Sequence, residues 1–340
     1  MVGVGHPKHV HIWKNVIKNL IKDGHEVKIV AREKDITLNL LDAYGFDYEV
    51  VGKNYKGMIK KIYGIFETDF KLYKIVKKFN PDLLLYGTPY LAQVSKLFNK
   101  PHIMLLDTEH ANLAYWLSYP FTDVVLTPAC FNKHIDTKKQ VTFDGYFELA
   151  YLHPNYFKPD PDVLKEIGLC NNDKFIIMRF SAWNAHHDIK DRGFSDKIKA
   201  VKSLEKFTNV FISSEGELPD ELKKYRLTLP PKKIHHLLYY ADLFIGESAP
   251  MCTESAILGT PAIFVSTSRR GYTDELESKY DMVYNFHNSY DAQENAIDKA
   301  IEILQDNDAK DKWIKKKEIL INEKIDVTKF LVTFIENYKL

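Results

Sequence analysis

Short runs of Val, Ile and Leu alternate along this chain with longer stretches in which apolar residues recur every three or four positions. The runs His25–Arg32, Tyr48–Gly52, Pro81–Gly87, Pro101–Leu106 and Thr122–Pro128 are bounded by Pro, Gly or Asp and predict buried strands. Helical spacing between them predicts helices over Val10–Lys22, Asp35–Tyr44, Gly57–Phe79 and Tyr90–Phe98. The stretch from His153 to Asp162 then breaks the rhythm. Pro154, Pro159 and Pro161 exclude a continuous helix or a central strand there, which marks it as a linker. Alternation restarts with strands predicted at Lys174–Phe180, Asn209–Glu215, Ala241–Gly246, Thr260–Val265 and Asp281–Phe286. Helices are expected over Ala292–Leu304 and Thr328–Tyr338. Strand–helix alternation implies parallel strands with right-handed crossovers. The expected class is therefore α/β with two Rossmann-like domains. Their boundaries are expected at 1–155 and 156–323, with 324–340 a C-terminal helix crossing back to the first domain. Two such units in tandem are expected to face a ligand with the carboxyl ends of their sheets across a cleft.

Composition narrows this picture only slightly. A net charge of +1 gives no bulk signal for nucleic acid. No apolar run approaches the roughly 18 residues that would span a bilayer. Cys130, Cys170 and Cys252 are far apart and form no paired motif, which fits a reducing compartment and argues against a zinc site built on cysteine. The expected location is the cytoplasm, at the inner face of the membrane if the acceptor is lipid-linked.

The segment Gly246–Phe264, GESAPMCTESAILGTPAIF, holds the most specific chemistry. A loop of small residues leads from an apolar strand into a helix expected to be amphipathic. Small residues let a ligand approach the backbone, and the helix start presents N–H groups and a positive dipole end. A phosphate or diphosphate suits Ser248, Ala249, Pro250 and Met251. Glu254, expected on the helix surface one turn later, can accept two hydrogen bonds from a vicinal diol such as that of a ribose. An ordinary strand-to-helix turn, with Ser248 as a cap and Glu254 as a dipole partner, explains the same residues.

This segment resembles the donor-nucleotide motif of GT-B glycosyltransferases and of the non-hydrolysing UDP-N-acetylglucosamine 2-epimerases. In both, a Ser/Gly loop meets the diphosphate and a Glu before A-x-x-L/x-G-x-P holds the ribose, positions matched here by Ser248 and Glu254. The upstream segment PPKKIHHLLYYADLFIG is similar too, which implies that Ile234 contacts the nucleobase. Together with GHPKHVHIWKNVIKNLIKDGHEVKIVAREKD, LLDTEHANLAYWLSYPFTDVVLTP, GYFELAYLHPNYF and RFSAWNAHHD, these stretches resemble one mostly archaeal domain-of-unknown-function family of the GT-B superfamily. The resemblance covers nearly the whole chain and implies a GT-B fold. The epimerases carry Asp in a G-D-T turn where this chain has Gly87 followed directly by Thr88, which weakens that assignment.

Further ionisable groups cluster at expected strand ends. His6, His9 and His11 stand at the head of the first helix, where a histidine can serve as a base or bind an anion. Their spacing is not that of a zinc site. Asp107, Glu109 and His110 follow a strand, and Glu109 is the best single candidate there. Arg179 ends the first strand of the second half and can neutralise diphosphate charge. Ser181, Asn184, His186 and His187 follow it. The lysine-rich run Gly57–Phe79 reads either as the solvated face of a helix or as a contact to anionic lipid. Gly64 argues against one continuous helix.

The expected activity is transfer from a nucleotide sugar, most simply UDP-linked. His11 or Glu109 would be the base and Arg179 the stabiliser of the leaving group. No metal and no cofactor beyond the donor are expected. The alternatives are a UDP-N-acetylglucosamine 2-epimerase and a non-catalytic nucleotide-sugar-binding protein.

Overall fold

The structure is a computed structural model. It describes residues 1–339 except 54–57, 87–88, 110–111, 134, 136–137, 171, 181–192, 215 and 288–290, and omits the side chains of 58–63, 65–66, 112 and 114. The chain divides into two compact units, Met1–Tyr151 with Ile325–Leu340, and Leu152–Lys324.

The first unit contains β1 (Val2–Val4), α1 (Pro7–Lys22), β2 (Ile29–Glu33), α2 (Thr37–Ala43), β3 (Tyr48–Lys53), α3 (Met58–Phe79) and β4 (Leu84–Leu85). It continues through α4 (Pro89–Leu97), β5 (His102–Leu105), α5 (Asn112–Ser118), β6 (Val124–Pro128), β7 (Gln140–Phe143) and α6 (Leu149–Leu152), which ends at the unit boundary. The described strands form a parallel sheet in the order β3-β2-β1-β4-β5-β6-β7. Strand β1 has only three residues, yet it lies between β2 and β4, with Val2 opposite both Ile29 and Leu85. Helix α1 buries Val10, Trp13, Val16 and Ile17. Elsewhere Leu72 and Val76 of α3 and Leu91 and Val94 of α4 pack with Val30 and Leu84. Helix α3 runs unbroken through Gly64, where the glycine suggested an interruption. The Gly64 carbonyl accepts a hydrogen bond from Thr68 Oγ1 at 2.7 Å.

The second unit contains α7 (Asp162–Glu166), β8 (Phe175–Phe180), α8 (Lys197–Leu204), β9 (Asn209–Ser214), α9 (Ile234–Tyr240), β10 (Leu243–Gly246) and α10 (Ala249–Leu258). Then follow β11 (Ala262–Val265), α11 (Gly271–Ser278), β12 (Val283–Phe286), α12 (Ala292–Gln305) and α13 (Ala309–Glu323). Its parallel sheet has the order β12-β11-β10-β8-β9. Ile176, Met178 and Phe180 on one face of β8 pack against Val201 and Leu204 of α8 and Ala300 of α12.

The last element, α14 (Val327–Glu336), belongs to the first unit. Asp326 caps it by accepting from Lys329 N, and it buries Val327, Thr328, Leu331 and Val332. Thr328 Oγ1 donates to Ala150 O at 2.6 Å, the same carbonyl that accepts from Asn15 Nδ2 of α1 at 2.9 Å. The Phe330 and Phe143 rings lie 5.2 Å apart.

Candidate functional site

Each sheet order contains a point where the chain reverses direction across the sheet. In the second unit β8 precedes β9 at one edge, and the chain then crosses back to place β10 on the other side of β8. Open α/β sheets bind ligands outside the carboxyl ends of strands at such a point. Gly246 ends β10 directly opposite Arg179 of β8. A Cβ at Gly246 would lie 2.5 Å from the Arg179 carbonyl oxygen, so only glycine fits this approach.

From Gly246 the chain turns into α10. Ser248 is its N-cap, with Oγ accepting from Met251 N at 3.4 Å. Pro250 has no N–H, and Cys252 N already donates to Ser248 O at 3.0 Å. Met251 N is held by Ser248 Oγ, so the amide of Ala249 is the remaining donor of this helix start, fewer than a proline-free turn would present. The helix ends at Gly259 in the left-handed conformation, φ 82°, with Pro261 two residues on. It is not amphipathic. Ala249 and every residue from Cys252 to Leu258 are buried, because α9, α11, α13, β10 and β11 surround it.

Glu254 is correspondingly not a surface residue. It is 7% exposed, and its Oε1 lies 3.1 Å from Nε2 of His235, which is also buried. His235 follows Ile234, the first residue of α9. Three positions of the expected nucleotide site are thus grouped: Ile234 on α9, and Ser248 and Glu254 on α10. His235 stands in the quoted segment, but a histidine inside an apolar helical run carries no signal until a buried carboxylate is known to oppose it.

The charged side chains around this loop are hydrogen-bonded or ion-paired within the second unit. The Glu247 carboxylate accepts from Phe194 N at 2.8 Å and lies 3.5 Å from Lys197 Nζ. Arg179 donates to Ser213 Oγ on β9 at 3.0 Å, so this contact leads away from β10. After β11, next to β10 in the sheet, Arg270 donates to Ser268 Oγ at 2.9 Å. The expected contributors Ser181, Asn184, His186 and His187 lie outside the described residues.

In the first unit the reversal falls between β1 and β4. His6 caps α1 by accepting from Lys8 N, and His9 Nδ1 accepts from Gly5 N at 3.1 Å. The His9 ring meets the Tyr86 ring edge-on at 4.4 Å. Burial, with His6, Lys8 and Lys34 nearby, holds the His9 imidazole neutral well below its usual range. His11 is buried between Tyr44, whose hydroxyl is 3.3 Å from Nδ1, and the Tyr151 ring at 5.3 Å. Glu109 accepts from Asn132 N at 3.3 Å. Lys8, which sequence reasoning passed over, bridges Asp107 at 2.5 Å and Glu148 at 2.7 Å. Burial raises the Glu148 pKa against the opposing effect of Lys8. Gly87, Thr88 and His110 lie outside the described residues. Among the described residues no group of three His, Cys, Asp or Glu side chains could hold a metal ion.

A family model described as "Protein of unknown function (DUF354)" matches residues 2–338. The chain is a DUF354 protein. An uncharacterized protein of Methanocaldococcus jannaschii is 26% identical to it over 272 residues, covering 75% of this chain and 78% of the relative. Among solved structures, the UDP-GlcNAc 2-epimerase from Neisseria meningitidis bound to UDP-GlcNAc superimposes with a TM-score of 0.69 at 12% identity, covering 99% of each chain. The UDP-GlcNAc 2-epimerase from Methanocaldococcus jannaschii gives 0.62 at 12% identity, again with 99% of each chain. The spinosyn rhamnosyltransferase SpnG gives 0.61 at 14% identity, covering 99% of this chain and all of its own. This DUF354 protein therefore has the GT-B fold, α/β with two parallel sheets, which glycosyltransferases and epimerases share.

Proposed function

We propose that this DUF354 protein is a glycosyltransferase that takes its sugar from a nucleotide donor, most simply a UDP-sugar, held by the second unit. The observation that carries the reading is the grouping of Ile234, Ser248 and Glu254 beside the carboxyl end of β10, with Glu254 held by His235. In this reading Ile234 packs on the base, and Glu254 accepts from the ribose hydroxyls. The diphosphate lies against Ser248, Ala249, Pro250 and Met251. Arg179 neutralises the leaving diphosphate, which requires it to exchange its Ser213 hydrogen bond for the ligand. The Neisseria neighbour was crystallised with UDP-GlcNAc, and SpnG is a rhamnosyltransferase, so the same fold serves nucleotide-sugar chemistry elsewhere.

For the acceptor hydroxyl we assign the base to Glu109 rather than His11. His11 is enclosed by Tyr44 and Tyr151, whereas Glu109 follows β5 at the carboxyl edge of the first sheet. The helix start and Arg179 do the electrostatic work at the leaving group, and no metal is invoked.

Incubation with UDP-N-acetylglucosamine alone tests the reading. Slow release of UDP is expected of a transferase that uses water as a poor acceptor. A sugar altered at C2 would instead identify an epimerase, and tight binding without turnover a binding protein. A thermal-shift screen that finds no stabilisation by any nucleotide or nucleotide sugar would sink the reading altogether.

A further inference from the structure

More than half of the exposed large apolar side chains among the described residues lie on three neighbouring helices, α3, α4 and α5 of the first unit. Helix α4 packs against both α3 and α5, so the three form one layer. Each turns an unusual stripe outward. On α3 the buried positions include Thr68, Leu72 and Val76, and the opposite face carries Phe70, Tyr73, Lys74 and Lys77. Phe70 is 60% exposed, and Lys74 Nζ sits 4.2 Å over its ring. The end of α4 adds Lys96 and Leu97, the latter 72% exposed. The Tyr73 ring lies 5.1 Å from Phe98, which joins the α3 and α4 stripes.

Helix α5 is inverted relative to an ordinary surface helix. Its sequence, NLAYWLS, has no charged residue, and Tyr115 and Ser118 are buried. Leu113, Trp116 and Leu117, spaced i, i+3, i+4, face outward, with Leu113 74% and Trp116 68% exposed. A soluble helix puts its apolar stripe inward. An outward Leu-Trp-Leu stripe beside lysines is the pattern of a helix lying at a lipid surface. Aromatic rings settle at headgroup level, and lysines can lay their apolar stems along that surface while their ammonium groups meet lipid phosphates.

We propose that the outer face of α3, α4 and α5 docks on the surface of an anionic lipid bilayer. Charge complementarity selects this occupant over an uncharged one. Lys74, Lys77 and Lys78 make no ion pair among the described residues and stand exposed next to the apolar stripe. No helix of the described residues is long and apolar enough to cross a membrane, so the contact is peripheral. Docking here would bring the first unit to lipid-borne molecules. The proposal itself does not depend on which sugar, or whether any sugar, is transferred.

The test is flotation of the full chain with vesicles of phosphatidylcholine alone and of phosphatidylcholine mixed with phosphatidylglycerol. The protein should float with the mixed vesicles and not with the neutral ones. Each lysine near an anionic surface contributes about fivefold in affinity, so Lys74→Glu with Lys77→Glu should weaken binding by tenfold or more. Trp116→Ala with Leu113→Ser should also abolish flotation. Lys206→Glu with Lys232→Glu, an equal charge change at exposed positions of the second unit, should leave it within about threefold. All these positions are exposed, so unchanged circular dichroism and melting temperature show that each variant folds. Three outcomes would overturn the proposal: no flotation of the wild type, equal loss in both lysine variants, or a dimer in light scattering that Trp116→Ala dissolves while vesicle binding is absent.

Discussion

Replacing Glu254 by Gln removes one charge and little else. Gln keeps an oxygen where Oε1 now lies 3.1 Å from His235 Nε2, so the contact between α9 and α10 survives as a neutral hydrogen bond. The ribose, if Glu254 holds it, loses charge assistance. Hydrogen bonds to a charged group contribute about 1.5–3 kcal/mol and neutral ones about 0.5–1.5 kcal/mol. The expected loss of UDP affinity is therefore about 1–2 kcal/mol, roughly five- to thirtyfold. Glu254→Ala differs, because it deprives the buried His235 of an acceptor at a further cost of about 1–3 kcal/mol in stability. For a unit of this size each kcal/mol lowers the melting temperature by about 2–4 °C, so calorimetry should separate the two variants. Titration with UDP and with 2′,3′-dideoxyuridine diphosphate then isolates the ribose contact. Wild type should discriminate between the two ligands, and Glu254→Gln should discriminate less, a non-additivity that a remote effect would not produce. Equal discrimination by both proteins would refute the ribose assignment even if overall affinity fell.

Gly246→Ala should destabilise the second unit by about 1–3 kcal/mol in urea unfolding, because its Cβ would press on the Arg179 backbone 2.5 Å away; an unchanged midpoint would show that β8 and β10 can part freely. Burial pushes the His102 imidazole down to about 4, with Tyr86 O and Asp123 opposing the shift. The unfolded chain takes up that proton near pH 6.5, so His102's stabilising contribution is complete above about pH 6.5 and is lost as pH falls toward 4. The loss is on the order of 3 kcal/mol, and His102→Gln should flatten that part of the stability curve. Turnover of any nucleotide sugar should persist in EDTA; complete loss reversed by Mn²⁺ would require a different mechanism.

The fold was largely legible because buried parallel strands read as apolar runs whatever their neighbours do. The exceptions have local causes. Strand β7, Gln140–Phe143, reads QVTF, whose exposed Thr142 and half-buried Gln140 give no continuous apolar run. Helix α13 carries so many lysines that its three buried positions, Ala309, Trp313 and Leu320, fall below any periodic signal. For α10 the error was one of kind. A helix covered by partners on every side has no polar face, so the sequence around Glu254 suggested a surface that its neighbours cover. The grouping of Ile234, Ser248 and Glu254 could be anticipated from motif resemblance alone. The pairings of His235 with Glu254 and of Lys8 with Asp107 and Glu148 could not. They join positions far apart in the chain, and nothing in either local segment specifies the partner.

The position of α14 also bears on how the protein is made. Residues 152–324 separate it from the rest of its unit. A ribosome adding about 5–20 residues per second needs on the order of ten to thirty seconds to cross that interval. The nascent first unit must wait that long with the Ala150 carbonyl lacking Thr328 and with Phe143 lacking Phe330. The second unit, being continuous, can finish first. Birth order and completion order are thus reversed, and a product cut short by premature termination after Lys324 would carry a finished second unit and an unsealed first one, a natural target for quality-control proteases.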